Sequence, residues 1–163
     1  MTTKLLNLLK EYQINVFNIN SKHLNLTNKY KYLNETCIFS LLCIIHYLEI
    51  NGYTLTHICL NDFEVYDQYL FLVKDTHIVE LVNDTYIYTP LPKEKIEFIP
   101  KDISHNNHKY ILYKSVGLFM YYLVTRKIKN KITEKELDVL YYSKPYFFIK
   151  NTIDNKQPCL IYL

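Results

Sequence analysis

From Tyr110 to Val124 the chain is apolar on nearly every side, with Ile111, Leu112, Val116, Leu118, Phe119, Tyr122 and Leu123 leaving no continuous polar face. A helix of this kind has no solvent side, so it must run through the middle of a domain with other elements packed around it. A chain of 163 residues that is 49% hydrophobic and 15% aromatic has the material for that packing. One domain over residues 1–163 is expected, with residues 1–33 less regular than the rest.

The other elements are read from periodicity and punctuation. Leu5, Leu6, Leu8, Leu9 and Tyr12 make a short amphipathic helix, whereas residues 15–28 alternate Asn with apolar residues and show no period. Asn34 is placed as the N-cap of a second helix carrying Ile38, Leu41, Leu42, Ile45 and Leu48, which stops at Asn51 and Gly52. Residues 53–60 read as a strand or an extended loop, and Phe63–Tyr66 with Tyr69–Val73 read as a hairpin turning at Asp67 and Gln68. A β-like patch at Thr85–Thr89 leads into a loop punctuated by Pro90, Pro92 and Pro100. Thr133 with Glu136 gives a capping-box signal for a helix after the central one, and Tyr146–Ile153 gives another. The fold class that follows is mainly α with a small β hairpin.

Charge and glycine content remove several functions. Against 19 Lys and Arg stand 16 Asp and Glu, a net +3, and Arg126 is the single arginine, so there is no strong basic field to draw in nucleic acid. The 17 tyrosines therefore read as packing and contact residues and not as a base-stacking platform. Gly52 and Gly117 stand too far apart in sequence to build a P-loop or a dinucleotide-binding turn. No cofactor is expected.

Cys37, Cys43, Cys59 and Cys159 have no CxxC spacing, and no secretion signal opens the chain, which leads to the expectation of a reduced, intracellular protein. The longest apolar run, residues 38–48, falls short of the roughly 20 residues that span a bilayer, so no membrane partner is expected. The Asn-x-Thr triplets at Asn25, Asn34 and Asn83 carry no weight without a secretion route. His105 and His108 have the spacing of two metal-binding imidazoles but no third ligand beside them, and no metal site is expected from them.

Several short stretches, in order, resemble the C-terminal lobe of protein kinases. Tyr47-Leu-Glu-Ile-Asn-Gly-Tyr53 resembles the end of the kinase helix that leads into the catalytic loop. The loop pattern His-Arg-Asp-Leu-x-x-x-Asn then falls on Leu55 to Asp62, with His57 in place of its Asp and only the apolar position, Ile58, and the final polar one, Asp62, kept. Asp75-Thr-His77 stands near the place of Asp-Phe-Gly, and Ile99-Pro100-Lys101 near that of Ala-Pro-Glu. Ser115-Val-Gly-Leu-Phe-Met-Tyr-Tyr-Leu-Val-Thr125 is the strongest match, to the family's Ser-Leu-Gly-Val helix, and Lys156-Gln-Pro158 replaces Lys-Arg-Pro. Together with the Asn, Ile, Lys and Tyr bias, the chain looks like the degenerate kinase-like proteins of giant DNA viruses.

The resemblance implies a kinase-like C-lobe without an N-lobe, located in the host cytoplasm if viral. It also implies the loss of catalysis, because the Gly-rich loop, the N-lobe Lys and the catalytic Asp have no counterpart. His57 and Asp62 hold degenerate catalytic-loop positions, and Asp62 and Asp75 would be the carboxylates for Mg²⁺ and nucleotide if such a site survived. Leu112 replaces an Asp that braces the catalytic loop from the central helix, so that brace is expected to be missing. The expected function is an inactive protein-binding or regulatory module whose partner is a protein, such as a kinase or its substrate, contacted through a tyrosine-rich surface. Two alternatives are a residual nucleotide-dependent Ser/Thr phosphotransferase using an N-lobe from another chain, and a small helical adaptor with no kinase ancestry and no hairpin between its long helices.

Overall fold

A computed structural model describes residues 2–19, 33–84, 97–101, 108–141 and 143–154. The first helix, α1 (Thr2–Phe17), buries Leu5, Leu9, Gln13 and Phe17 along one stripe, which carries it beyond Tyr12 into the Asn-alternating stretch. The second, α2 (Thr36–Ile50), is buried along most of its length. Its N-cap is Glu35, not Asn34 as expected, and Glu35 makes no side-chain capping bond; Asn34, one residue earlier, accepts through Oδ1 from Thr36 N–H at 2.9 Å. At its end Asn51 caps the helix and Gly52 turns the chain with φ +79°, a backbone conformation that favours glycine.

Strand β1 (Tyr53–Leu55) pairs antiparallel with β4 (Ile78–Glu80), Tyr53 facing Glu80 and Leu55 facing Ile78. Between them, β2 (Phe63–Tyr66) and β3 (Tyr69–Leu72) form the expected hairpin, with Asp67 at φ +56° in the turn. The fold is thus α+β, with five α-helices and two two-stranded antiparallel sheets among the described residues. This corrects the expectation of a mainly helical kinase-like C-lobe with one small hairpin. The second sheet is nonlocal: β1 is three residues long, β4 is equally short, and neither alternates long enough to announce its partner.

The hairpin register turns the N–H groups of Leu70 and Leu72 outward from β3. Side chains receive them: Ser40 Oγ accepts from Leu70 N–H at 2.8 Å, and Gln13 Oε1 from Leu72 N–H at 2.7 Å. Gln13 Nε2 also donates to the Leu72 carbonyl at 3.2 Å, so this fully buried amide acts as the paired backbone of an absent strand. Phe17 stacks on Tyr69 with centroids 5.1 Å apart. The described beginning of the Asn-rich segment therefore lies on the hairpin.

The central helix α3 (His108–Thr125) is buried almost all round, as its sequence requires. Gly117 is small because α5 (Lys144–Ile153) passes close by: a Cβ there would lie 3.3 Å from Thr152 Oγ1. The short α4 (Glu134–Leu137) starts with a complete Thr133–Glu136 capping box, and Ser143 caps α5 by accepting from Tyr146 N–H. Cys37 and Cys43 are free, buried thiols in the core, and Cys37 Sγ also donates to the Gln68 carbonyl at 3.4 Å. The patch at Thr85–Thr89, Pro90, Pro92, Cys159 and Lys156-Gln-Pro158 lie outside the described residues. No helix among the described residues is long and apolar enough to cross a membrane.

Candidate functional site

The ladder of β1 and β4 continues one residue past β1, where Thr56 N–H donates to the His77 carbonyl at 3.0 Å. That bond sets His57, just beyond β1, against His77, just before β4. Their rings meet edge to face with centroids 4.5 Å apart and planes at 66°. The chain then passes Cys59 and enters a single 3₁₀ turn, Leu60–Asp62. Asp62 anchors the base of the hairpin, its carbonyl accepting from Val73 N–H at 2.8 Å and Lys74 N–H at 3.3 Å. The two sheets thus meet at one loop, and the loop carries the ionisable side chains.

These side chains are arranged in order. Asp62, 4% exposed, holds the Nδ1 atom of His77 through Oδ2 in a short contact. His57, 1% exposed, shares a hydrogen bond between Nδ1 and Thr56 Oγ1 at 2.9 Å, while its Nε2 is buried with no partner among the described residues. Cys59 is half-buried beside them. One ligand-capable atom from each of His57, Cys59 and His77 lies within 4.8 Å of the other two.

Burial, and next the neighbouring His77, pull His57 down to about 4, against the opposing pull of Asp62. The imidazole is therefore neutral at physiological pH and able to offer a lone pair. Burial also pushes the Cys59 thiol up, and the carboxylates of Asp62 and Glu97 add to this, while backbone N–H groups of Asn61 and Asp62 oppose it. Cys59 is therefore held as a neutral thiol.

Ile58 N–H, between these residues, donates to Ser115 Oγ of α3 at 2.8 Å. This corrects the expectation that the loop has lost its brace: Leu112 does not supply one, but Ser115, one turn further along the buried helix, does. Asp75 is half-buried, accepts from Ile78 N–H through its carbonyl at 3.0 Å, and stays outside the ligand-capable group. The structure therefore gathers His57 and Asp62 in one cluster without Asp75.

Sequence reasoning missed Cys59 and His77. The available signal was His57-x-Cys59 directly after a strand, but His77 joins only through the β1–β4 pairing. The expectation on His105 and His108 falls in part outside the described residues, which do not include His105. No protein-family model, curated protein or solved structure matches this chain.

Proposed function

We propose that this chain is a catalytically inactive, kinase-related binding module that recognises another protein inside the cell, in host cytoplasm if its source is a giant DNA virus. The state of Asp62 carries the reading. Phosphoryl transfer needs carboxylates free to hold Mg²⁺ against phosphates. Here the Asp62 carboxylate is buried and engaged by His77, with Asp75 outside the cluster. The pocket of about 170 Å³ under Phe39 and Phe148 and that of about 120 Å³ between Lys114 and Ile153 are lined by none of His57, Asp62 or Asp75. The order of the sequence motifs, Ser115–Thr125 above all, supports a kinase relationship, and the hairpin between α2 and α3 speaks against the helical adaptor.

The contact surface is an aromatic ridge at the start of α5. Tyr141 and Phe147 are 56% and 49% exposed, and Tyr146 makes T-shaped contacts with both, each at 5.2 Å between centroids. Val139, 72% exposed, lies on the 3₁₀ turn that precedes the ridge. Rigid aromatic groups give large contact area at small ordering cost.

Two measurements test the reading together. Thermal unfolding with millimolar ATP and Mg²⁺ is expected to match unfolding without them. A Mg²⁺-dependent rise lost in Asp75→Ala would overturn the reading in favour of the nucleotide-dependent alternative. Affinity capture with the wild-type chain and with the Tyr141→Ser/Phe147→Ser double variant is expected to give a protein retained only by the wild type. Equal capture by both would remove the ridge as the contact.

A further inference from the structure

We propose that His57, Cys59 and His77 form a binding site for a zinc-class divalent cation, with Asp62 and Thr56 orienting the two imidazoles. Three independent observations converge on it. Ligand-capable atoms of the three residues already lie within 4.8 Å of one another. Zinc bound tetrahedrally at about 2.0–2.1 Å from nitrogen and about 2.3 Å from sulfur needs its donors roughly 3.3–3.6 Å apart. On this proposal the half-buried Cys59 and His77 side chains turn on binding to close that difference.

The second observation is the unpartnered Nε2 of His57, on a residue only 1% exposed. A buried polar nitrogen without a hydrogen bond has given up its water and gained nothing in return. A cation gives that lone pair a partner.

The third observation is how the remaining ring atoms are held. Each imidazole has its Nδ1 occupied, that of His57 by Thr56 Oγ1 and that of His77 by Asp62. Metal-bound histidines use one ring nitrogen for the ion and the other to donate to a carboxylate or similar acceptor. That leaves Nε2 of both rings for the ion.

Donor chemistry selects the ion. Two neutral imidazoles and one thiolate suit Zn²⁺ or Co²⁺, whereas Mg²⁺ and Ca²⁺ require oxygen. The charges also close: a divalent cation, the Cys59 thiolate and the Asp62 carboxylate sum to zero in a part-buried site. Binding releases the thiol proton to solvent, and the cation replaces it on sulfur. Three protein ligands leave a fourth position for water or another small donor. The bound ion would tie the end of β1, the loop and the start of β4 at one point.

The test uses the untagged full chain, stripped with a chelator and titrated with Zn²⁺ alone against a chromophoric competitor, then with Co²⁺. One zinc per chain is expected, and the cobalt form should show a thiolate-to-cobalt charge-transfer band. Cys59→Ser should abolish that band, Cys43→Ser should keep it, and Asp62→Asn should retain one site with affinity weakened about 10–100-fold. Failure of the wild type to bind micromolar Zn²⁺ would overturn the proposal, as would a cobalt band that survives Cys59→Ser. His57→Ala and His77→Ala should lose stoichiometric binding while circular dichroism keeps its folded signature. Where either variant unfolds, the near-isosteric Cys59→Ser decides alone.

Discussion

Two loops in this molecule are fastened by polar side chains, one from the inside and one from the outside. The loop at residues 56–62 is held by buried groups and one half-buried imidazole: Ser115 under Ile58, Asp62 against the half-buried His77, and Thr56 beside His57. The turns around α4 and α5 are held at the surface. There Lys129 pairs with Glu136 at 2.6 Å, Lys150 with Glu134 at 2.6 Å, and Thr133 exchanges hydrogen bonds with Glu136. An exposed group that loses its partner finds water, so its arrangement can be imperfect at little cost. A buried one cannot, so each partner inside is specific, and the one nitrogen left over among the described residues, His57 Nε2, stands out.

The sharpest way to break this contrast is Ser115→Ala. It leaves the Ile58 N–H without an acceptor beside a fully buried helix, and a loss of about 2 kcal/mol is expected in urea unfolding. A loss no larger than that of a surface variant would mean that the loop relaxes to reach water and is not fastened from within. Next in size, Thr133→Ala removes the cap of α4 at an exposed position, and about 1 kcal/mol should be lost.

The smallest effect is a matter of pH. The Lys129 ammonium first, then the Thr133 N–H, hold Glu136 down to about 2, below the ordinary carboxylate value of 4.5. A carboxylate lowered on folding stabilises the protein above its unfolded value, and that support is lost as pH falls from about 4.5 through about 2. Stability curves of the wild type and Glu136→Gln should therefore converge on going from pH 6 to pH 2. Curves that stay parallel would show that the exposed network contributes nothing through charge.

The same contrast explains what could be read from the sequence. The exposed region was legible, because Thr133-x-x-Glu136 is a local signal whose partners lie three residues apart. So were the hairpin at Asp67 and Gln68, the stop at Gly52 and the central position of α3, each decided by neighbouring residues or by one helical period. The buried site was legible only in part. His57 and Asp62 were singled out, but Ile58 meets Ser115 across 57 positions and Asp62 meets His77 across 15. No periodicity announces contacts at those separations. The strands β1 and β4 that create the site are three residues each, too short for alternation to show, and their pairing is what changed the fold class. Leu112 illustrates the same limit: loss of one brace said nothing about Ser115 a turn away.

The fully buried amide of Gln13 has a wider consequence. A two-stranded hairpin ordinarily leaves a row of backbone donors and acceptors along its rim, a template onto which another chain can dock. Here Gln13 fills both groups of Leu72, and Ser40 fills that of Leu70. Helices α1 and α2 thereby seal this rim against further strand addition. The first helix is a guard on the sheet, and self-association through β3 is closed for as long as it stays seated.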